Sequence, residues 1–283
     1  VEMMSRVPML ADQAAVFTDP TYAAHCHMLM MGSGADLVAS LQEVSREQAD
    51  AIALTSQGRA ARALAEGYFK SVLTIDNPVK GISLAGDECV RPETSAESLA
   101  ALAPAFAQLG AQGVDALQLA AHRELHTIRH IHTAGNSPAM ADGAALLLVG
   151  SDELGRTLGI APRARVVAAA CASDDPLQVL TGCVAASRRL LREQQLQARD
   201  RDLIESHEAF AATMVKVQRD LEIPPDKLNV NGGVIALGHP MGATGAIMAL
   251  TLLDELERRD LQRGLVAASG AGGSGSALLL ERI

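Results

Sequence analysis

The sequence predicts an α/β fold: helices covering a mostly parallel sheet, preceded by an irregular, helical segment with no layered sheet of its own. Three observations carry this. With 283 residues the chain can form one large or two ordinary domains. Hydrophobic residues make up 48% of it, enough for a substantial core. In the second half, short apolar runs alternate with helical periodicity in the order β-α-β-α-β-α-β-β.

In chain order, Ser45-Arg46-Glu47-Gln48 reads as a capping box, with Ser45 as N-cap and Gln48 reaching back. Ala49, Ile52, Ala53, Ala60 and Leu64 then recur at helical spacing. Asp76-Asn77-Pro78 and Gly81 mark turns. Thr94 and Glu97 give a second capping signal ahead of Leu99, Leu102 and Phe106. Residues 1–125 are therefore expected to form a lid or loop domain.

The second half starts with a buried strand at Arg165–Ala170 and a helix around Val184–Glu193. Leu203-Ile204-Glu205 is a short strand, and the helix from Ala209 to Leu221 stops before Pro224-Pro225. Leu228–Ala236 reads as a third strand. The helix from about Gly242 places Ala246, Leu250, Leu253 and Leu256 on one face. Asp254/Arg258 and Glu255/Arg259 are expected as ion pairs on its wet side. Gly264–Ala268 and Ala277–Leu280 are strands joined by a Gly-rich turn.

Composition excludes several functions. A net charge of -9 and a pI near 5.4 argue against nucleic acid, whose backbone needs a basic surface. Aromatics at 2% leave no base-stacking platform. No apolar stretch is long enough to span a bilayer, and the first residues do not read as a secretory leader. Cys26, Cys89, Cys171 and Cys183 show no C-x-x-C spacing and suit a reduced, cytoplasmic protein. His122, His126 and His130 stand at i, i+4 and i+8, with His132 beyond, and His25-Cys26-His27 is compact. Neither group has matching Cys or carboxylate spacing, so no metal site is expected.

Three loops could carry chemistry. Asn229–Gly245 ends a strand in glycines and sets His239 just before a helix N-terminus, where a His can move a proton or meet an anion. Ser269–Ser276 contains a formal G-x-G-x-x-G at Gly270, Gly272 and Gly275. The strand-like Ala277–Leu280 follows instead of a helix, so a dinucleotide site is rejected and an oxyanion-lining hairpin remains. Ser206-His207-Glu208-Ala209-Phe210 sets a second His at a strand end. Each also admits a bland reading as a cap, a turn or a surface residue.

The run NVNGGVIALGHPMGATGA closely resembles the signature of thiolases, acyl-CoA acyltransferases that cleave or form 3-ketoacyl-CoA. Met4–Met9, Ser45–Ala61, Arg91–Thr94, Thr133–Asn136, Asp142–Ala145 and Gly264–Glu281 are similar to other segments of that family. The resemblance implies a layered fold of two similar halves. The second would be complete at residues 156–283, residues 126–155 would be a remnant of the first, and 1–125 would be the loop domain. The remaining strand of the first half would leave an edge and an apolar face uncovered.

The resemblance further implies that His239 activates a cysteine nucleophile. His207, standing where many members have Asn, would be the oxyanion partner. Ser269, at the second cysteine's place, would be a weak proton carrier, since a hydroxyl is a far poorer base than a thiolate. Coenzyme A is implied as substrate, not as a resident cofactor, with its contacts at Gly238, Gly270, Pro138 and Phe210. Pro138 stands where many members have Ser. The nucleophilic cysteine is expected upstream of Val1, in a segment outside this sequence or on another chain. Acyl-CoA substrates, lipid metabolism and a homodimer or homotetramer complete the expectation, and a catalytically impaired CoA-binding or structural subunit is the alternative.

Overall fold

The computed structural model describes residues 1–283, with the side chains of residues 17, 18 and 20 outside the description. A four-stranded sheet organises the second half. Its strands are β3 (Ala164–Ser173), β4 (Leu203–Ser206), β5 (Arg263–Ser269) and β6 (Ser274–Arg282), in the order β3-β6-β5-β4. Only β4 and β5 run parallel, with Leu203 opposite Gly264. β6 is antiparallel to both β3 and β5. The sheet is thus mixed, not mostly parallel, because the turn at 270–273 folds β6 straight back on β5 and β3 then adds to its free edge.

Strand alternation sends side chains into two cores. Ile204, Leu265, Ala267, Ala277 and Leu279 face helix α4 (Gly182–Glu193), whose Cys183, Val184, Ala186, Leu190 and Leu191 pack on them. Met214 and Val217 of α5 (Ala211–Asp220) join that layer. Leu203, Val266 and Leu280 point the other way, onto Met248, Ala249, Leu252 and Leu256 of α7 (Thr244–Arg258). The result is helix on sheet on helix. At its closest point α4 needs two glycines: a Cβ on Gly275 would lie 2.0 Å from the carbonyl carbon of Gly182.

The expected strand at Leu228–Ala236 is not formed. Leu228 makes one isolated bridge to Ile204, and Asn229 then turns left-handed at φ 45°. Gly232 follows at φ 81°, and a short helix α6 spans Val234–Leu237. Two conformations closed to extended backbone end the strand at once.

The first half is largely helical. α1 (Met31–Leu41) and α2 (Arg46–Ala65) pack against α5 and Ile235. The capping box at the head of α2 is present: Ser45 Oγ accepts from Gln48 N and Gln48 Oε1 accepts from Ser45 N. The second box is shifted by one residue. Ser95 and Ser98 bond reciprocally, while the Thr94 hydroxyl donates to the Arg91 carbonyl. The turn at 77–81 joins a hairpin of β1 (Ile75–Asn77) and β2 (Ile82–Leu84), and α3 (Asp115–Ala121) follows.

Two further expectations change. The strand expected between His126 and Ser151 is reduced to Asp142–Gly143, paired with Glu2–Met3. Residues 144–150 form no strand, and Leu146, Leu148 and Val149 are exposed. Asp254 and Glu255 are buried, not on a wet face. Asp254 accepts from Arg163 and Ser71, while Glu255 holds Arg258, Arg259 and Asn231. Ser71 and Arg163 cover that side of α7, which turns an expected surface into an interior.

Candidate active site

The end of β4 is clamped before it delivers His207. Asn229 Oδ1 accepts from Ser206 N at 2.8 Å, and its Nδ2 donates to the Ser206 carbonyl at 2.9 Å. His207 N–H donates to the Ala267 carbonyl of β5 at 2.8 Å. The His207 ring then donates from Nδ1 to the Ser269 carbonyl at 3.2 Å. A carbonyl only accepts, so Nδ1 carries the proton and Nε2 keeps its lone pair. That Nε2 is buried and has no protein partner.

His239 arrives from the other side. Gly238 precedes it at φ 89°, a backbone open to glycine, and a Cβ there would meet Ala141 and Cys89 at 2.9 and 3.0 Å. The His239 N–H donates to the Ala139 carbonyl at 2.7 Å, next to Pro138. Thr244 Oγ1, at the head of α7, holds Nδ1 at 2.7 Å. The two imidazoles meet with centroids 4.5 Å apart, tilted by 43°.

Burial sets their charge. It pushes the His207 pKa down to about 3, with further repulsion from His239, against a small opposing effect of the Ser269 carbonyl. Burial alone pushes His239 down to about 4. Both rings are neutral at pH 7, so each offers a lone pair to a proton donor.

Ser269 completes the cluster. Its carbonyl holds His207, and its Oγ accepts from Cys183 N at 3.0 Å. The hydroxyl lines an open groove with Cys171, Ser173, Gly270, Ser274 and Ser276. His207, His239, Gly238, Ser269 and Gly270 are thus neighbours, and Pro138 stands beside them along the chain. Phe210 is not: it is 8% exposed and sits edge-on to Phe106 and His132, in a core with Leu37, Ile128, Leu177 and Leu180.

Sequence reasoning missed the supports beneath the site. Glu208 is buried and accepts from Ser56 Oγ, Asn229 Nδ2 and Ile235 N, tying α2 to both active loops. Burial raises its pKa, and these bonds together with Arg59 only partly offset that. A second buried carboxylate, Asp36, accepts from His130 Nδ1, His132 Nδ1 and the amides of Ile131 and His132. His132 Nε2 accepts in turn from Ala212 N in the first turn of α5, and so braces the helix behind His207. Of the histidines first weighed as metal ligands, His130 and His132 are occupied this way, and His122 faces Glu124 and Asp175.

Comparisons with known proteins agree along the chain. The family models described as thiolase N-terminal domain and thiolase C-terminal domain match residues 1–119 and 160–282. The chain is 39% identical over 263 residues to a 3-ketoacyl-CoA thiolase of Citrobacter koseri, covering 90% of this chain and 62% of that protein. It is 36% identical over 305 residues to a 3-oxoadipyl-CoA/3-oxo-5,6-dehydrosuberyl-CoA thiolase of Escherichia coli, covering 100% of this chain and 71% of that one. Among solved structures, the Bacillus anthracis acetyl-CoA acetyltransferase superposes with a TM-score of 0.79 at 34% identity, over 91% of this chain and 61% of that one. Human mitochondrial 3-ketoacyl-CoA thiolase in complex with CoA gives 0.75 at 30%, over 90% and 59%. The chain therefore spans about 62% of the length of the first of these curated relatives.

Proposed function

The chain belongs to the thiolase family, and from that premise we propose that it takes part in acyl transfer between coenzyme A and a 3-ketoacyl-CoA, by thiolytic cleavage or the reverse condensation. The observation that carries this is the pair of neutral, buried imidazoles 4.5 Å apart. Neutral His239 takes the proton of a thiol as its sulfur attacks the ketone carbon. The new C–S bond forms, the C–C bond breaks, and the proton returns to the departing carbon, which leaves as the methyl group of acetyl-CoA. The Nε2 lone pair of His207 can hold a water whose own hydrogen faces the oxyanion. CoA is a substrate here, with Gly238, Gly270 and Pro138 near its reacting end.

In this reading residues 1–125 form the loop domain over the site, 126–155 a connecting part of the first core half, and 156–283 the second half. We assign it to cytoplasmic lipid metabolism as a homodimer or homotetramer. A His239→Ala variant is expected to lose thiolysis of acetoacetyl-CoA, followed by loss of enolate absorbance. Unchanged turnover would refute the assignment. A second reading, a CoA-binding or structural subunit, is favoured by the hydroxyl at Ser269 where the resemblance calls for a thiol. CoA binding without thiolysis by the unaltered chain would select it.

A further inference from the structure

The start of α4 is capped from outside the helix. Its N-cap residue, Thr181, has helical backbone angles (φ -103°, ψ -5°) and makes no side-chain cap; Thr181 Oγ1 is buried without a partner. Yet the Cys183 amide, one of the donors a helix start leaves free, is satisfied by the Ser269 hydroxyl, 86 positions along the chain. A hydroxyl oxygen that accepts from a helix N-terminus sits in positive potential and holds its electrons more tightly. It becomes a poorer base and a better donor. Its own O–H has two outlets, the groove and the neighbouring Cys183 thiol. That thiol is kept protonated by burial, which outweighs its hydrogen bonds to Ser269 and Ser206, and a neutral sulfur is a weak acceptor. The Ser269 hydroxyl lines that groove, and the Ser269 carbonyl fixes His207, whose buried Nε2 is unpartnered.

We propose that Ser269, its oxygen pinned by the Cys183 amide at the head of α4, is an oriented hydrogen-bond donor to the acyl oxygen of a CoA thioester, not a base for its α-proton. Cys183 acts through Ser269 and is a positioning residue. This rests on the acyl-transfer reading above. It gives the hydroxyl at position 269 a task that a hydroxyl can perform.

The test compares acetyl-CoA with CoA, which lacks the acyl oxygen, by titration calorimetry on the full chain. Ser269→Ala removes the donor. Cys183→Pro removes the amide hydrogen and, with it, the buried thiol, at a first-turn position where a helix tolerates proline. Both are expected to weaken acetyl-CoA about five- to tenfold, the size of one neutral hydrogen bond, and to leave CoA unchanged. Thr181→Val should change neither ligand. Equal losses for both ligands, or no loss for acetyl-CoA, would overturn the proposal while leaving the acyl-transfer reading standing. Failure of the unaltered chain to bind acetyl-CoA would overturn both. Should Cys183→Pro fail to fold, Ser269→Ala decides.

Discussion

Asp36 offers a sharp stability test, because a single atom exchange alters one of its bonds and keeps the rest. Its side chain is fully buried. Oδ1 accepts from Ile131 N at 3.1 Å, His132 N at 3.2 Å and His132 Nδ1 at 2.7 Å, while Oδ2 faces His130 Nδ1 at 2.9 Å. In Asp36→Asn the amide oxygen can keep the three Oδ1 bonds, and the NH2 group replaces the oxygen facing His130. One charge-assisted bond is lost, worth about 1.5–3 kcal/mol. His130 then keeps only Asp115, at 3.1 Å. A loss of about 2 kcal/mol should lower Tm by roughly 4–8 °C in a chain of this size.

The pH dependence adds a second signature. Burial works against a charged His130, but its hydrogen bonds to Asp36 and Asp115 prevail and its pKa is raised. The folded state binds that proton more tightly than the unfolded state does. The stabilisation is full below about pH 6.5, the unfolded value, and is lost as pH rises through the raised folded value. The penalty of Asp36→Asn should therefore be largest near pH 6 and shrink toward pH 9. Urea titrations at four pH values, with histidine NMR to follow His130, measure both. A penalty below about 0.5 kcal/mol at pH 6, the scale of a surface change, would refute the reasoning; so would a penalty that grows with pH.

The depressed His207 and His239 work in the opposite direction. Their contribution is intact above about pH 6.5 and falls with acidification toward about 3 and about 4 respectively; a His207→Asn/His239→Asn chain should show a flatter acid limb in thermal melts. Glu208→Ala leaves Ser56, Asn229 and Ile235 without their common acceptor and should cost about 3 kcal/mol in urea unfolding. Gly275→Ala forces backbone against backbone at Gly182 and should abolish soluble expression. Gly58→Ala, inside α2 with nothing within 4 Å of the added carbon, should instead raise stability by about 0.5–1 kcal/mol.

What could be read from the letters follows the range of the interaction. The box Ser45/Gln48, the strand at 263–269 and the helix at 182–193 depend on neighbours a few positions away, and they formed as expected; the strand at 164–173 formed too, but exposed along most of its length instead of buried, with only Ala170 in the core. His207 and His239 were legible because each sits in a strand-end or glycine-bounded loop, where a functional side chain can be aimed. The failures are long-range. No local pattern tells that Ser71 and Arg163 will cover Asp254, 183 and 91 positions away from it, and so the wet face of α7 was misjudged. Nor does periodicity show that Asn229 will turn left-handed to clamp Ser206 instead of extending a third strand. Asp36 stood inside an apolar helical run, and its partners lie 94 to 96 positions on.

These distant contacts also explain why the site holds its shape. The segments leading to His207 and His239 are tied to residues of the first half of the chain. Glu208 reaches Ser56 on α2, and Ser56 Oγ also accepts from Gly233 N, ahead of His239. His132 joins Asp36 of α1 to the first turn of α5. Gly232 lets α2 approach so closely that a Cβ there would sit 2.6 Å from the Ser56 carbonyl oxygen. Small residues along α2, Ala49, Ala53, Ala60 and Ala63, are what allow that approach, and all four are fully buried. The Ala- and Gly-rich composition is therefore a condition of the site: larger side chains on α2 would hold that helix off the Gly232 turn and the short helix α6 that lead to His239.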